Sequence, residues 1–326
     1  MTARGPEARR ASPVVGRLAP SPTGLLHLGH ARTFLCAFWS ARAAGGRVLL
    51  RLEDLDGPRV RPGMIDAALC DLAWLGLEWD EAPLVQSEGL PRLRAAVAEL
   101  VRRGAAYPCV CSRADVRRAL SAPQAGEAEP RYPGTCRERF PSLEAAERRA
   151  GRAAGLRFRV PDGEVEIRDA FAAPTRHDVA RETGDFVVSK RDHTPAYQLA
   201  VVVDDAFQGV TEVLRGDDLL PSTARQWHLQ RALGLPHPRW IHLPLVVDDA
   251  GRRFAKRADD LSLAELRARG VDPRAVVAWA ARASGMIVPE RVAAAEASAA
   301  FALEAVPRTP VRCDGQTLAR LLAARA

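Results

Sequence analysis

Lysine is almost missing from this chain: of its 47 basic residues, only Lys190 and Lys256 are not arginine. No apolar run approaches the roughly 20 residues that a membrane-spanning helix requires, which argues against an integral membrane helix. The opening residues, MTARGPEARRASP, are basic but contain no apolar stretch of the kind a secretory leader carries. They read as a disordered basic tail (residues 1–13), a weak phosphate-binding arm at most. No internal repeat is visible, and no row of aromatic residues offers a stacking platform for single-stranded nucleic acid. Cysteines number six, three of them crowded between positions 109 and 136. Without an export signal, that crowding points to a reducing, cytoplasmic setting and a metal rather than disulfides.

What is present is a chain of 326 residues with 47% apolar content, enough for one large core or two smaller ones. Its formal net charge of +7 favours a polyanionic partner such as nucleic acid, against the plainer reading of a generally arginine-rich composition. The segment PVVGRLAPSP reads as a short strand ending in loop residues, and a helical pattern runs from His27 to Ala44. GRVLLRLEDLD carries a second strand over Val48 to Leu52, whose near-continuous apolar run suits a buried parallel position. MIDAALCDLAWLGLEWD and LPRLRAAVAELVRRG follow as helices. Strand, helix, strand, helix is the rhythm of a doubly wound α/β fold. From Tyr107 to about Arg191 this rhythm gives way to cysteines, Pro/Gly turns and short strands such as LRFRV, which reads as an inserted subdomain. The segment from Pro195 to Gly234 returns to strand, turn, strand and helix; RWIHLPLVV adds a buried strand, and the chain is helical from Ser262 onward.

The stretch RLAPSPTGLLHLGHAR places two glycines and two histidines at the mouth of the first helix. In a doubly wound sheet, ligands sit at the carboxyl ends of strands beside helix N-termini, where unpaired N–H groups attract phosphate. Gly24 and Gly29 leave room for a nucleotide to approach the backbone, and His27 and His30 supply donors. His-x-x-His could also hold a metal, although no third ligand stands nearby, or serve as ordinary helix-start packing. All three readings stay open at this level. Cys109-x-Cys111 with Cys136 supplies three thiolates, most of a tetrahedral zinc site, with buried or redox cysteines as the alternative. Cys36, Cys70 and Cys313 read as core residues on helix faces. The pairs Asp204-Asp205 and Asp217-Asp218 read as loop and cap residues.

RLAPSPTGLLHLGHAR resembles the signature of class I glutamyl-tRNA synthetases, with His27, Leu28, Gly29 and His30 standing at the HIGH motif. AYQLAVVVDDAFQGVTEVLRGDDLLPSTARQ resembles the second half of the same catalytic domain, and the likeness runs in order from about Val15 to about Leu261. Little chain follows Lys256, so the large helical anticodon-binding region of the full-length enzymes is not expected. The chain is thus similar to their truncated paralogues, the glutamyl-queuosine tRNA(Asp) synthetases.

That resemblance implies a Rossmann-type catalytic domain split into residues 14–106 and 192–261, a zinc-bearing insertion at 107–191, and a helical C-terminal region at 262–326. It implies a ligase that activates L-glutamate with ATP, Mg²⁺ arriving on the nucleotide, and attaches it to queuosine, the modified base in the tRNA(Asp) anticodon. A shortened synthetase charging a tRNA 3′ end and a non-catalytic ATP- or tRNA-binding module are the alternatives. A monomer is expected. His27, Gly29 and His30 would meet ATP, joined by Lys256 in RRFAKRA, the segment in register with KMSKS. There Arg253, Ala255 and Arg257 depart from the family pattern and Lys256 keeps it. A flexible ammonium at that place suits phosphate. Glutamate contacts fall on Arg17, Leu18, Ala19, Pro20, Ser21, Glu53, Tyr197 and Arg215. An arginine facing the substrate would also explain rejection of glutamine, which would leave the buried cation unpaired. The family's metal ligands fall on Cys109, Cys111, Tyr132 and Cys136, the tyrosine closing the site.

Overall fold

The computed structural model describes residues 13–119, 131–252 and 261–326. Residues 1–12 of the expected tail and the whole segment from Arg253 to Arg257, Lys256 included, lie outside these described residues.

The chain opens with β1 (Val15–Leu18), passes through α1 (Leu28–Ala43) and returns in β2 (Arg47–Leu52). β1 and β2 pair in parallel, Arg17 opposite Leu49, so α1 is the crossover that a parallel pair requires. α2 (Met64–Trp74) leads to the short β3 (Leu84–Val85), which pairs with β2 in parallel, and then to α3 (Leu90–Arg102). The middle of the chain is antiparallel. β4 (Ala106–Cys109), α4 (Arg113–Ala119) and α5 (Leu143–Ala150) precede β5 (Gly155–Phe158), and β6 (Val165–Ile167) pairs with β7 (Thr175–His177). After α6 (Val179–Glu182), β8 (Val187–Ser189) completes a sheet of order β4-β5-β8.

The parallel rhythm resumes after α7 (Tyr197–Phe207) with β9 (Glu212–Gly216), α8 (Leu220–Leu233) and β10 (Arg239–Leu243). β9 and β10 pair in parallel, and the Thr211 N–H donates to the Val15 carbonyl at 3.0 Å, setting β9 beside β1. The strands thus lie side by side as β3-β2-β1-β9-β10. Helices cover both faces. Leu18, Leu50, Leu214 and Ile241 pack into one core with α1, whereas Val213 and Trp240, their neighbours in sequence, join a second core with Leu199 and Val202 of α7. Side chains alternate across a strand, so each strand feeds both layers. The C-terminal region, α9 (Leu263–Ala268), α10 (Pro273–Arg282), α11 (Ala294–Ala297) and α12 (Gly315–Ala323), covers the α1 face. Trp39 of α1 is wholly buried there and donates from Nε1 to the Ala294 carbonyl at 2.9 Å. Burial of such a side chain is worth about 1.5–3 kcal/mol.

Four expectations are corrected. The run AYQLAVVV is a helix, not a strand: α7 lies between the parallel layer and α3 and α8, so it is buried on most of its circumference and the apolar positions carry no period. Asp204 and Asp205 are therefore buried helix residues rather than loop caps; Arg92 meets Asp204 at 2.7 Å and Arg51 meets Asp205 at 2.6 Å. Cys70 is exposed on α2, and Cys313 is buried but lies between a strand and α12. The C-terminal region is not wholly helical, because Val311–Arg312 (β12) pairs in parallel with Val246–Val247 (β11). Among the described residues no helix is long and apolar enough to cross a membrane.

Candidate active site

β1, β2 and β9 all end at one cleft of about 1240 Å³, into which the start of α1 also points. Arg17, Ala19, Pro20, Ser21, His27, Gly29, His30, Glu53, Tyr197 and Arg215 all line it. Leu18 does not: it is fully buried in the core shared with α1.

The two histidines form a reciprocal cap on α1. His27 is the N-cap, and its Nδ1 accepts from the Gly29 N–H at 3.1 Å, while His30 Nδ1 accepts from the His27 N–H at 3.3 Å. A capping box ordinarily uses Ser or Thr with Glu or Gln, three residues apart. Here two imidazoles do the same work, with ring centroids 3.8 Å apart. A neutral ring that accepts at Nδ1 carries its proton on Nε2, so each histidine remains a donor at its far nitrogen. This geometry disfavours the metal reading of His-x-x-His, since both Nδ1 lone pairs are occupied by backbone N–H groups. It also changes the reason for Gly29. A Cβ there would lie 3.0 Å from His27 Cε1 and 3.1 Å from Nδ1, so the glycine makes room for the capping ring as well as for a ligand.

Behind the cleft lies a buried ionic cluster. Arg51 bonds Glu53 at 3.1 Å and Asp205 at 2.6 Å, and Arg17 Nε stands 3.7 Å from the same Asp205 oxygen. Arg17 Nη1 donates to the Leu214 carbonyl at 3.1 Å. Arg215 on β9 donates from Nε to His242 and from Nη2 to Thr223, each at 2.9 Å. Among the described residues, Arg17 and Arg51 form ion pairs with Glu53 and Asp205 alone and Arg215 forms none, so three guanidiniums outnumber the two carboxylates they pair with. Asp204, held by Arg92, acts on Arg51 from further away. Arg17 Nε and Arg215 Nη1 are buried without hydrogen-bond partners. Unmet donors of this kind are costly unless something supplies an acceptor. The electrostatics agree. Burial, reinforced by Arg51 and Arg215, pulls the Arg17 guanidinium below its ordinary value. Burial likewise raises the Glu53 carboxyl. Tyr197 keeps 39% of its surface open to the cleft, yet the protein around its hydroxyl and the Glu53 carboxylate push its pKa up to about 12.

One wall of the cleft reaches the cysteines. The sulfurs of Cys109, Cys111 and Cys136 lie within 4.8 Å of one another, with 3.5 Å between Cys111 and Cys136. The Tyr132 hydroxyl is 3.4 Å from Cys109 Sγ and 3.8 Å from Cys111 Sγ. A tetrahedral zinc with metal–sulfur bonds of about 2.3 Å has edges of about 3.8 Å, so three sulfurs and one oxygen at these spacings fit such an ion. Arg157 stacks over the Tyr132 ring at 3.8 Å and donates from Nε to Cys109 Sγ at 3.3 Å, placing a cation beside an electron-rich donor set.

The sequence matches the family described as tRNA synthetases class I (E and Q), catalytic domain, over residues 13–319. The chain belongs to that family. This class I synthetase is 48% identical over 316 residues to the glutamyl-Q tRNA(Asp) synthetase of Symbiobacterium thermophilum, covering 94% of this chain and 98% of that one. It is 44% identical to the protein of the same name from Rhodopirellula baltica, over 84% of this chain and 86% of the relative. Among solved structures it resembles the glutamate-tRNA synthetase of Elizabethkingia anophelis, with a TM-score of 0.81 and 26% identity over 94% of this chain and 69% of that chain. The glutamate tRNA ligase of Elizabethkingia meningosepticum, solved in complex with its amino acid, gives a TM-score of 0.80 at 26% identity over 94% and 68% of the two chains. The chain is an aminoacyl-tRNA synthetase-like ligase with the class I catalytic fold, and ATP with Mg²⁺ is the co-substrate of that class.

Of the residues singled out from sequence, the synthetase brings together all those on the cleft, and the four metal candidates form a separate cluster at its edge. Arg51, His242 and Thr223 are not among the sequence candidates, and Asp205 stands among them only as a loop or cap residue. Arg51 left a trace, as a lone charge inside the apolar run VLLRL. His242 and Thr223 left none, because their partners are distant in sequence.

Proposed function

We propose that this ligase activates L-glutamate with ATP to glutamyl-adenylate and transfers it to the queuosine base of tRNA(Asp). The observation that carries the reading is the buried cluster with one guanidinium in excess and two unmet donors, set beside a helix start capped by imidazoles. Glutamate brings two carboxylates and one ammonium, a net charge of −1 that balances this cluster. Arg17 and Arg215 would take carboxylate oxygens through charge-assisted hydrogen bonds, and Glu53 and Tyr197 would receive the ammonium. The loop of Ala19, Pro20 and Ser21 that follows β1 would close around the side chain. The substrate carboxylate then attacks the α-phosphate and pyrophosphate leaves. The imidazole donors of His27 and His30, with Lys256, would offset charge on the phosphoryl oxygens and hold the reactants in line. Mg²⁺ would arrive with the nucleotide.

The domain plan that goes with this reading is the catalytic domain in two halves, 14–106 and 192–261, an insertion at 107–191 and the helical region at 262–326, working as a monomer in the cytoplasm. Cys109, Cys111, Tyr132 and Cys136 would hold one structural zinc that braces the insertion. The names of the relatives support the choice of tRNA(Asp) and queuosine. Glutamate-dependent ATP–pyrophosphate exchange without tRNA tests the first half. The second is tested by offering tRNA(Asp) with and without queuosine, after removal of its 3′ adenosine. Acceptance that needs the modified base and survives trimming is expected; acceptance that needs the 3′ adenosine instead would make this a shortened glutamyl-tRNA synthetase.

A further inference from the structure

Arg215 is held from behind by residues that touch no cleft surface. Its partner across the parallel β9–β10 pair, in direct register, is His242. His242 Nε2 accepts from Arg215 Nε at 2.9 Å, and Thr223 Oγ1 accepts from Arg215 Nη2 at 2.9 Å. On its other side, His242 Nδ1 stands 2.5 Å from Asp169 Oδ2. Asp169 is fixed in turn: its Oδ1 accepts from the Phe171 and Ala172 N–H groups at 2.8 Å and from the His242 N–H at 3.2 Å. The side chains of His242 and Asp169 are no more than 1% exposed, and Thr223 is fully buried. A carboxylate can only accept, so the His242 proton sits on Nδ1 and the Nε2 lone pair is committed to Arg215. Two of the three guanidinium nitrogens are then spent at the back, and Nη1 is buried without a hydrogen-bond partner in a residue that lines the cleft.

We propose that Asp169, His242 and Thr223 form a positioning relay that sets the orientation of Arg215 and so determines affinity for the substrate carboxylate. Asp169 comes from the turn between β6 and β7, in the antiparallel middle of the chain, and the neighbouring Ala170 N–H donates to the Trp240 carbonyl of β10 at 2.8 Å. Glutamate affinity is thereby tied to how that middle segment docks on the parallel layer. The proposal rests on the reading of Arg215 as a carboxylate-binding group, and the variants below separate the two.

His242→Leu removes the acceptor facing Arg215, and His242→Gln keeps one. Asp169→Asn leaves every cleft atom in place but opposes a donor to either the imidazole N–H or the backbone N–H groups. In glutamate-dependent ATP–pyrophosphate exchange, His242→Leu and Asp169→Asn are expected to raise KM for glutamate about 10- to 100-fold, with KM for ATP unchanged and kcat within about threefold. His242→Gln should recover KM to within about fivefold of the wild type. Arg215→Met serves as the reference. If it leaves the glutamate KM unaltered, the site reading falls and the relay with it. If Arg215→Met raises KM while His242→Leu and Asp169→Asn, both folded by thermal melting, do not, the relay alone is refuted. If His242→Leu does not fold, the other two variants decide. Equal losses toward glutamate and ATP, or a fall in melting temperature with neither KM changed, would mark a merely structural contact and overturn the proposal.

Discussion

Replacing Arg17 by methionine removes one of the three guanidiniums behind the cleft and keeps the length of the stem. Arg17 is 7% exposed, gives one hydrogen bond to the Leu214 carbonyl, and stands 3.7 Å from an Asp205 oxygen that Arg51 already holds at 2.6 Å. Losing the carbonyl bond costs about 1 kcal/mol. Removing a buried cation that has only a shared partner returns free energy of the same order, because its desolvation is no longer incurred. The fold should therefore keep its stability to within about 1 kcal/mol, or about 1–2 °C in thermal midpoint for a chain of this size. Substrate binding should not be spared. With two guanidiniums facing two carboxylates, the pocket has no charge left for an anionic ligand, and losing one side of a buried charge-assisted pair costs about 2–4 kcal/mol. At 1.36 kcal/mol per tenfold, that is about 30- to 1,000-fold in the glutamate KM. The assay is ATP–pyrophosphate exchange across glutamate concentrations, with the ATP KM and a thermal melt measured alongside. Exchange at subsaturating glutamate within threefold of the wild type, in a variant that melts normally, would refute the assignment.

His27→Asn keeps a side-chain acceptor at the start of α1 but removes the outer ring donor. Its melting temperature should stay within about 4 °C of the wild type, while kcat for exchange falls about 100-fold; a normal kcat would free the imidazole from the chemistry. Elemental analysis of the purified protein should find about one zinc per chain, and Cys136→Ser should lose it and become sensitive to proteolysis in the insertion. A wild-type protein without metal would end that reading. Asp71 is buried against Arg267 at 2.8 Å, its Oδ2 has no partner, and burial raises its pKa from 3.8 to about 6. Between about pH 4 and 6 the folded protein keeps a proton that the unfolded chain has released, so this group makes stability rise as pH falls through that window. Asp71→Asn removes the slope, and the melting temperature of the variant relative to wild type should be higher at pH 7.5 than at pH 4.5. An equal difference at both values would contradict the shift.

Much of the parallel layer was legible because its signals are local. An apolar run ended by Pro and Gly before a helical period marks β1 and α1 within some thirty residues, and the capping of α1 by His27 and His30 is contained in one turn. The three cysteines stand close enough in the chain for their pattern to be read before any fold is known, whereas Tyr132 joins them only through the resemblance. Resemblance then supplied what spacing could not, above all the proposed roles of Glu53, Tyr197 and Arg215.

Tertiary structure alone decided the rest. AYQLAVVV is helical because of where it packs, between the parallel layer and two other helices, and a segment buried on most sides loses the periodicity that separates helix from strand. The partners Arg51 and Asp205 lie 154 residues apart, and His242 and Asp169 lie 73 apart. A sequence records which charges exist, but burial and long-range pairing determine which are compensated. That is why the excess guanidinium at the cleft, the feature on which the proposed chemistry turns, became visible only when the strands were set side by side.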